Sequence, residues 1–403
     1  MAAVSSPPQL SVADAQERVL AAVRALEPQR VPVAEALDSV LAAEVRARGP
    51  VPPFPSSAMD GYAVQAGPAG RSLTIVGESR AGVPSRRPVG PGEAVRISTG
   101  AAVPQGATAV IRQEDTTSQG SRLIPGKPTS PGQNIRAAGE VMQADDLVLE
   151  RGTRVGPAEL GAAVTAGAAE LLVCPRPRLQ VLVTGDELRP PGAALDPGEI
   201  HNSNGPMLVA FARRQARAPD SVQLGDELAA TEAGLEQALR QNEVVVVSGG
   251  VSVGPHDHVK PALANLGVTE VFWGVALQPG RPTWFGTHDS TLVFGLPGNP
   301  VSAAVTFTLF VAPALRALAG WPSRPDARSQ GELAVAVSRN PNREQALRVR
   351  LERRGAVTLA HPNGPQGSHV ITSLLGAEAL ALIPPGHGEL PAGSVVPLLP
   401  LLR

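Results

Sequence analysis

Three short stretches of the 403-residue sequence combine residue types suited to holding a phosphorylated, metal-assisted substrate. Ser248, Gly249 and Gly250, continuing through Val251, Ser252, Val253 and Gly254, follow four successive valines at 244–247. Four β-branched residues in a row suit a strand buried on both faces. Glycines just beyond such a strand let backbone amides approach a phosphate or a flat ring closely. The second stretch is Gly295, Leu296, Pro297, Gly298, Asn299 and Pro300, in which Asn299 suits a helix cap and Pro300 the first helical turn. A free helix N-terminus attracts anions. The third is Thr184, Gly185, Asp186, Glu187 and Leu188, placed after the apolar run at 179–183. Magnesium takes one or two carboxylates together with substrate phosphate oxygens, and it offsets charge while a phosphoanhydride breaks, so Asp186 and Glu187 are candidate ligands. Asp257 follows the glycine loop as a third acid, and Asp226 reads as the N-cap of the helix after SVQLG. For each stretch the competing reading is structural: a packing turn, a capped helix, a solvated acidic turn. His256 and His258 flank Asp257 without a partner cluster and are not read as metal ligands.

Around these stretches, residues 179–320 alternate strand-like runs (LQVLV, VVVV, LVFGL) with helix-like segments, which predicts a doubly wound α/β domain with helices on both faces of a parallel sheet. Ser11 suits the N-cap of a helix over VADAQERVLAAVRAL that Pro28 stops, and short helical patterns continue to Ala47. From Gly49 to about Val141, short apolar runs between glycine and proline clusters predict a β-rich domain. A helical pattern returns at 156–169 with Pro157 first, and the turn-rich CPRPR stretch follows as a linker. After the proline-rich WPSRPD stretch the runs ELAVAV, ALRVRLE, VTLA, ALALIPP and VVPLLPLL predict a C-terminal β-barrel. The expected division is an N-terminal helical domain (1–48 and 142–176) with an inserted β-rich domain (49–141), an α/β domain (177–322) and the β-barrel (323–403), an α/β multidomain protein.

Composition narrows the function classes. A 43% hydrophobic, 18% charged chain is ordinary for a globular protein, and a formal charge of -1 provides no global field for nucleic acid or an anionic membrane, so any anion site is local. The single cysteine, Cys174, precludes an intrachain disulfide or a cysteine zinc cluster and reads as a small buried apolar residue. The N-terminal MAAVSSPPQLSVADAQERVL lacks a basic start followed by an apolar stretch, and no run reads as a bilayer span. A cytoplasmic protein with neither membrane nor nucleic-acid partner is expected. Lys127 and Lys260 are the only lysines; the remaining cations are arginines.

Taken in order, TGDEL, SGGVSVG followed by an acid, PGRP and GLPGNPVS resemble the MoeA and gephyrin E-domain family of molybdopterin molybdenumtransferases. PPFPSSAMDGYA at 52–63, STGAAVP at 98–104, NREQALRVR at 342–350 and QGSH at 366–369 extend the resemblance over essentially the whole chain. The resemblance implies insertion of molybdate into adenylylated molybdopterin with release of AMP, using Mg2+. It implies a homodimer whose cleft pairs the α/β domain of one subunit with N-terminal loops of the other, with the adenylyltransferase and recipient molybdoenzymes as further partners. Carried over by motif, the functional positions are Asp60, Thr99, Glu187, Asp226, Asp257, Arg281, Arg348 and Ser368. Asp186, Glu187 and Asp257 go to the metal. Ser248, Gly249, Gly250, Ser252, Pro297, Gly298, Asn299 and Pro300 go to pterin and phosphate, and Arg281 to an anionic group.

Two departures stand against this pattern. Gly274 and Gln278 occupy positions where some relatives carry lysines, which weakens attraction for a dianion and keeps a tungstate-preferring insertase open. In GEVMQADD, Val141 stands where some relatives have an acid, with Asp145 or Asp146 as candidate substitutes. Two further readings compete with the insertase: a molybdopterin adenylyltransferase, which shares the α/β scaffold, and a non-catalytic gephyrin-like scaffold. The N- and C-terminal domains argue against the first, and the lack of a long linker in the sequence against the second.

Overall fold

The structure is a computed structural model that describes residues 9–225, 227–250, 258–321 and 329–401, so Asp226, Ser252 and Asp257 lie outside the described residues. The chain packs as two compact units: residues 30–37 with 41–173, and the described residues up to 29 with 38–40 and those from 174 onward.

Ser11 caps helix α1 (Val12–Ala22), accepting from the Asp14 amide at 3.0 Å, and α1 buries Val12, Ala15 and Val19 in the α/β core of its own unit. The helical patterns expected to continue to Ala47 are instead the short strands Gln29–Pro32, Val40–Leu41 and Val45–Arg46 and one 3-10 turn, Val33–Glu35. Pro28 and Pro32 remove amide donors from any helix there, and the β-branched Val31, Val33, Val40 and Val45 favour extended backbone.

The first unit centres on a six-stranded sheet of β1 (Gly61–Val64), β2 (Leu73–Ser79), β3 (Glu93–Ile97), β4 (Ala109–Arg112), β5 (Thr116–Gln119) and β6 (Arg122–Pro125), in the order β4-β1-β3-β2-β6-β5. The helix α2 (Pro157–Thr165) starts at Pro157 as expected, and the Glu159 carboxylate accepts from the Gly156 amide at 3.0 Å. Gly61 is the tightest point of the sheet: a Cβ there would meet the Ile111 carbonyl oxygen at 1.8 Å. Gly61→Ala is therefore expected to part β1 from β4 and lower stability by about 3 kcal/mol, read as a drop in thermal midpoint. An unchanged midpoint would show that the backbone yields freely.

The second unit carries a six-stranded sheet built from β7 (Arg178–Thr184), β8 (Arg217–Leu224), β9 (Val244–Ser248), β10 (Thr269–Trp273), β12 (Trp284–His288) and β13 (Thr291–Leu296), with the short strand β11 (Leu277–Gln278) between β10 and β12 in the chain. The order is β8-β7-β9-β13-β12-β10. β8, β7, β9 and β13 are mutually parallel, whereas β12 runs antiparallel to both of its neighbours, β13 and the edge strand β10, so the sheet is mixed and not wholly parallel. The valine run divides as a doubly covered strand must: Val244 and Val246 join the core under α1 and α3 (Asn204–Ala212), and Val245 and Val247 join the core under α4 (Leu228–Gln241) and α5 (Val259–Asn265). Burying four such side chains contributes about 1.5–3 kcal/mol each.

The helix at Pro300–Leu318 comprises α6 (Pro300–Thr306), a π turn at Phe307–Val311 and α7 (Ala312–Leu318). By length and composition it passes for a membrane span, contrary to the expectation from sequence, but 83% of it is buried inside the protein, as a core helix is. The C-terminal strands β14 (Ser329–Leu333), β15 (Glu344–Arg354), β16 (Val357–Pro362), β17 (Ala379–Ile383) and β18 (Val395–Pro400) form the expected barrel, closed by pairing of β15 with β17. β11 adds to its rim, parallel to the start of β15. Cys174 is half-buried at the end of the strand Glu170–Cys174.

Candidate functional site

The carboxyl ends of β7, β9 and β13 lie side by side, and the three motif loops leave from them. Gly249 and Gly250 have φ of +94° and +63°, a region that L side chains avoid. A Cβ on Gly249 would sit 2.9 Å from both the carbonyl and the hydroxyl oxygen of Thr184, and one on Gly250 2.5 Å from the Val259 side chain. Gly249 and Gly250 are thus pressed against the end of β7. The glycine loop also reaches the PGNP loop: the Gly249 amide donates to the Leu296 carbonyl at 3.1 Å. Asn204, at the start of α3, joins the two loops by donating from Nδ2 to Ser248 Oγ at 2.9 Å and to the Gly298 carbonyl at 2.7 Å. Its Oδ1 is buried with no hydrogen-bond partner. A buried orphan acceptor costs about 1–3 kcal/mol unless a ligand donor or water meets it.

Sequence reasoning did not single out Asn204, and it named Thr184 only as part of the TGDEL stretch, without a role of its own. The signal available was the HNSNG run at a helix start, which reads equally well as local capping.

Asp186 and Glu187 are both exposed on the turn after β7, and the Glu187 carboxylate folds back over Gly185, where a Cβ would lie 2.6 Å from Oε2. The turn is anchored by donation from Gln223 Nε2 to the Leu188 carbonyl at 3.1 Å, by the Arg189 guanidinium on the Asp186 carbonyl at 2.8 Å and by an Arg189–Glu199 ion pair. Hydrogen bonding from the Asp196 amide and then Arg189 holds the Glu199 carboxyl below its ordinary range. Among the described residues no group of three or more His, Cys, Asp or Glu is placed to hold a metal. The two adjacent carboxylates nevertheless match the hard, oxygen-only set that magnesium shares with phosphate.

The cap expected of Asn299 is different. Asn299 occupies the N-cap position of α6, yet its side chain makes no capping bond; Nδ2 donates to Ser368 Oγ at 3.2 Å. The QGSH turn does the capping, since the Val301 amide donates to the Ser368 carbonyl at 3.2 Å. With Pro300 lacking an N–H and the Val301 N–H taken, two of the first-turn positions offer no amide to an anion. For α4 the N-cap position among the described residues is Glu227, whose side chain makes no capping bond, and the expectation for Asp226 lies outside them.

Arg348 does not line a binding surface: it is 0% exposed. Its guanidinium donates to Ser373 Oγ at 3.1 Å and, at 3.3–3.4 Å, to the carbonyls of Ala346, Pro365 and Gly367. Gln366 completes the clamp, its Oε1 accepting from the Arg348 amide at 3.0 Å. Burial pushes the Arg348 guanidinium down to about 10, which leaves it charged at neutral pH. A residue expected to touch substrate instead holds the turn that bears Ser368.

In the other unit, Asp60 and Thr99 come together, which the sequence did not indicate: Asp60 Oδ1 accepts from the Thr99 amide at 2.7 Å and from its hydroxyl at 3.2 Å. Val141 is 65% exposed beside Val51, to whose carbonyl its amide donates at 2.9 Å. Asp146 accepts from the Gln143 amide at 2.7 Å, and Asp145 lies against Arg46 and Ala47.

Similarity to known proteins covers the same stretches. Residues 10–167 match the MoeA N-terminal region (domains I and II), 180–317 a probable molybdopterin binding domain, and 330–401 the MoeA C-terminal region (domain IV). The chain is 36% identical over 399 residues to molybdopterin molybdenumtransferase 2 of Mycobacterium tuberculosis, covering 95% of this chain and 98% of that one. It is 34% identical over 375 residues to the molybdopterin molybdenumtransferase of Haemophilus influenzae, covering 91% and 92%. The crystal structure of a MoeA molybdopterin biosynthesis protein from Pyrococcus horikoshii superposes with a TM-score of 0.78 at 30% identity, covering 98% of this chain and 99% of that one. With loop geometry, domain order and full-length similarity in agreement, the chain belongs to the MoeA family of molybdopterin molybdenumtransferases.

Proposed function

We propose that this protein is a transferase that inserts molybdate into adenylylated molybdopterin and releases AMP. The observation that carries the reading is the joining of the SGG and PGNP loops by Asn204, with the exposed Asp186–Glu187 turn on the same sheet edge. The glycine loop lets main-chain amides approach the pterin and its phosphates, and the Asn204 Oδ1 accepts from a ligand N–H. Asp186 and Glu187 would hold magnesium, with Asp257 as the expected third acid. When bound, the cation offsets charge on the phosphoanhydride oxygens as that bond breaks. Arg281 draws in the oxyanion; the phosphoanhydride P–O bond is cleaved by water with AMP as the leaving group, and one molybdate oxygen leaves as water with the two thiol protons as the dithiolene sulfurs bind the molybdenum. The protein supplies orientation and electrostatics.

The same reading takes a homodimer whose cleft combines the α/β domain of one subunit with the Asp60 and Thr99 loops of the other, in the cytoplasm, with the four-part domain division expected from the sequence. The test is AMP release from adenylylated molybdopterin with magnesium, titrating molybdate and, in parallel, tungstate. Molybdate-dependent release without ATP consumption is expected. Consumption of ATP would instead identify an adenylyltransferase, and no release from folded protein would leave a scaffold.

A further inference from the structure

We infer that Gln9 is a positioning residue that aims the Arg281 guanidinium at the incoming oxyanion without cancelling its charge; the inference rests on the molybdate reading of the site. The Gln9–Leu10 segment lies along the hairpin that presents Arg281. Leu10 forms a parallel bridge with Val275, and the Ala276 amide donates to the Leu10 carbonyl at 2.8 Å. The Val275 amide donates to the Arg281 carbonyl at 3.0 Å, the Gly274 amide to the Thr283 carbonyl at 2.9 Å, and the buried Thr283 hydroxyl to the Gly280 carbonyl at 2.6 Å. The backbone of Arg281 is therefore fixed, while its side chain is exposed.

The Gln9 side chain constrains the exposed part. With its amide oxygen toward the guanidinium, it accepts from Arg281 Nε at 2.7 Å and from Nη2 at 3.2 Å. The reverse orientation would set N–H donors against N–H donors, so the donor set decides it. Guanidinium has five N–H groups; the Nη1 pair and one on Nη2 are left for an anion.

The neutrality of this partner matters because of what surrounds it. In FWGVALQPGRP, residues 272–282, Arg281 is the only charged side chain. Gln278 is turned to the barrel, its Oε1 accepting from Asn340 Nδ2 at 2.6 Å. A carboxylate at position 9 would hold Arg281 equally well but would cancel the field that a dianion feels. An amide orients the guanidinium and leaves that field intact.

The experiment is a molybdate titration of AMP release at saturating adenylylated molybdopterin, using the full chain as wild type, Gln9→Ala, Gln9→Glu and Arg281→Ala, with thermal midpoints taken alongside. Gln9→Ala is expected to raise the KM for molybdate about three- to tenfold at unchanged kcat, the effect of releasing one pre-ordered side chain. Gln9→Glu is expected to raise it at least as far, with a penalty that shrinks as salt is added because it is electrostatic. A wild-type molybdate KM in Gln9→Glu, or in Arg281→Ala, overturns the inference while leaving the insertase reading standing. A fall in kcat and midpoint alone, equal in both Gln9 variants, overturns it as well. Absence of AMP release from wild type would sink the reading beneath it instead.

Discussion

Replacing Glu187 with alanine is expected to lower molybdate-dependent AMP release by on the order of 10²–10³-fold, with little change in thermal midpoint. The side chain is exposed, so its removal leaves no cavity, and the turn that carries it is held by Gln223, Arg189 and Glu199. The loss falls on the step in which charge develops on the phosphoanhydride, where removing one well-placed electrostatic contact commonly costs this much. Glu187→Gln keeps shape and polarity while removing the charge, and its residual activity should need more magnesium to reach half-saturation. Full activity in Glu187→Ala with an unshifted magnesium requirement would exclude the acid from metal binding and leave Asp186 to be tested in its place.

Arg348→Ala is expected to lower stability by about 3 kcal/mol or more, measured as a shift in denaturant midpoint. The change removes a fully buried side chain, leaves a void, and takes away a bond from the carbonyls of Pro365 and Gly367 and from the Ser373 hydroxyl, the last two keeping their bonds to Val370. Relief of burying a charge offsets part of that loss. The catalytic consequence passes through the QGSH turn: with Gly367 released, Ser368 no longer holds Asn299 and the Val301 amide in place. Arg348→Lys cannot reproduce the fork of bonds and should recover only part of the stability. The binding role would return if Arg348→Ala kept wild-type stability and changed only the KM for the pterin.

Glu187 and Arg348 differ in how much of their role is legible in the sequence. The TGDEL, SGG and PGNP stretches could be placed at strand ends because β-branched runs followed by glycine or proline have few other uses, and the structure finds those strands where the runs are. The alternation of strand and helix after Leu179 pointed to the layered α/β core for the same local reason. The C-terminal runs pointed to strands, since period and turn residues are local properties, and barrel closure through β15 and β17 followed the expectation.

What the sequence determined by itself is therefore the inventory: which segments become strands and helices, which loops carry glycine, and which acids stand beside them. What only the tertiary structure decided is which groups those side chains meet. Asn299 reads as a cap in isolation, but the QGSH turn, 69 residues away, supplies a better donor–acceptor match and takes the capping role itself. The family motif marks Arg348 as a substrate position, yet closure of the barrel removes all of its surface and turns its donors onto neighbouring carbonyls. Gln9 carried no signal and Asn204 only an ambiguous one, because a neutral amide becomes functional only through the partner opposite it. The helical reading of residues 23–47 failed for a related reason: apolar spacing there fits both periods, and strand pairing with Glu170–Cys174, distant in the chain, settled the competition.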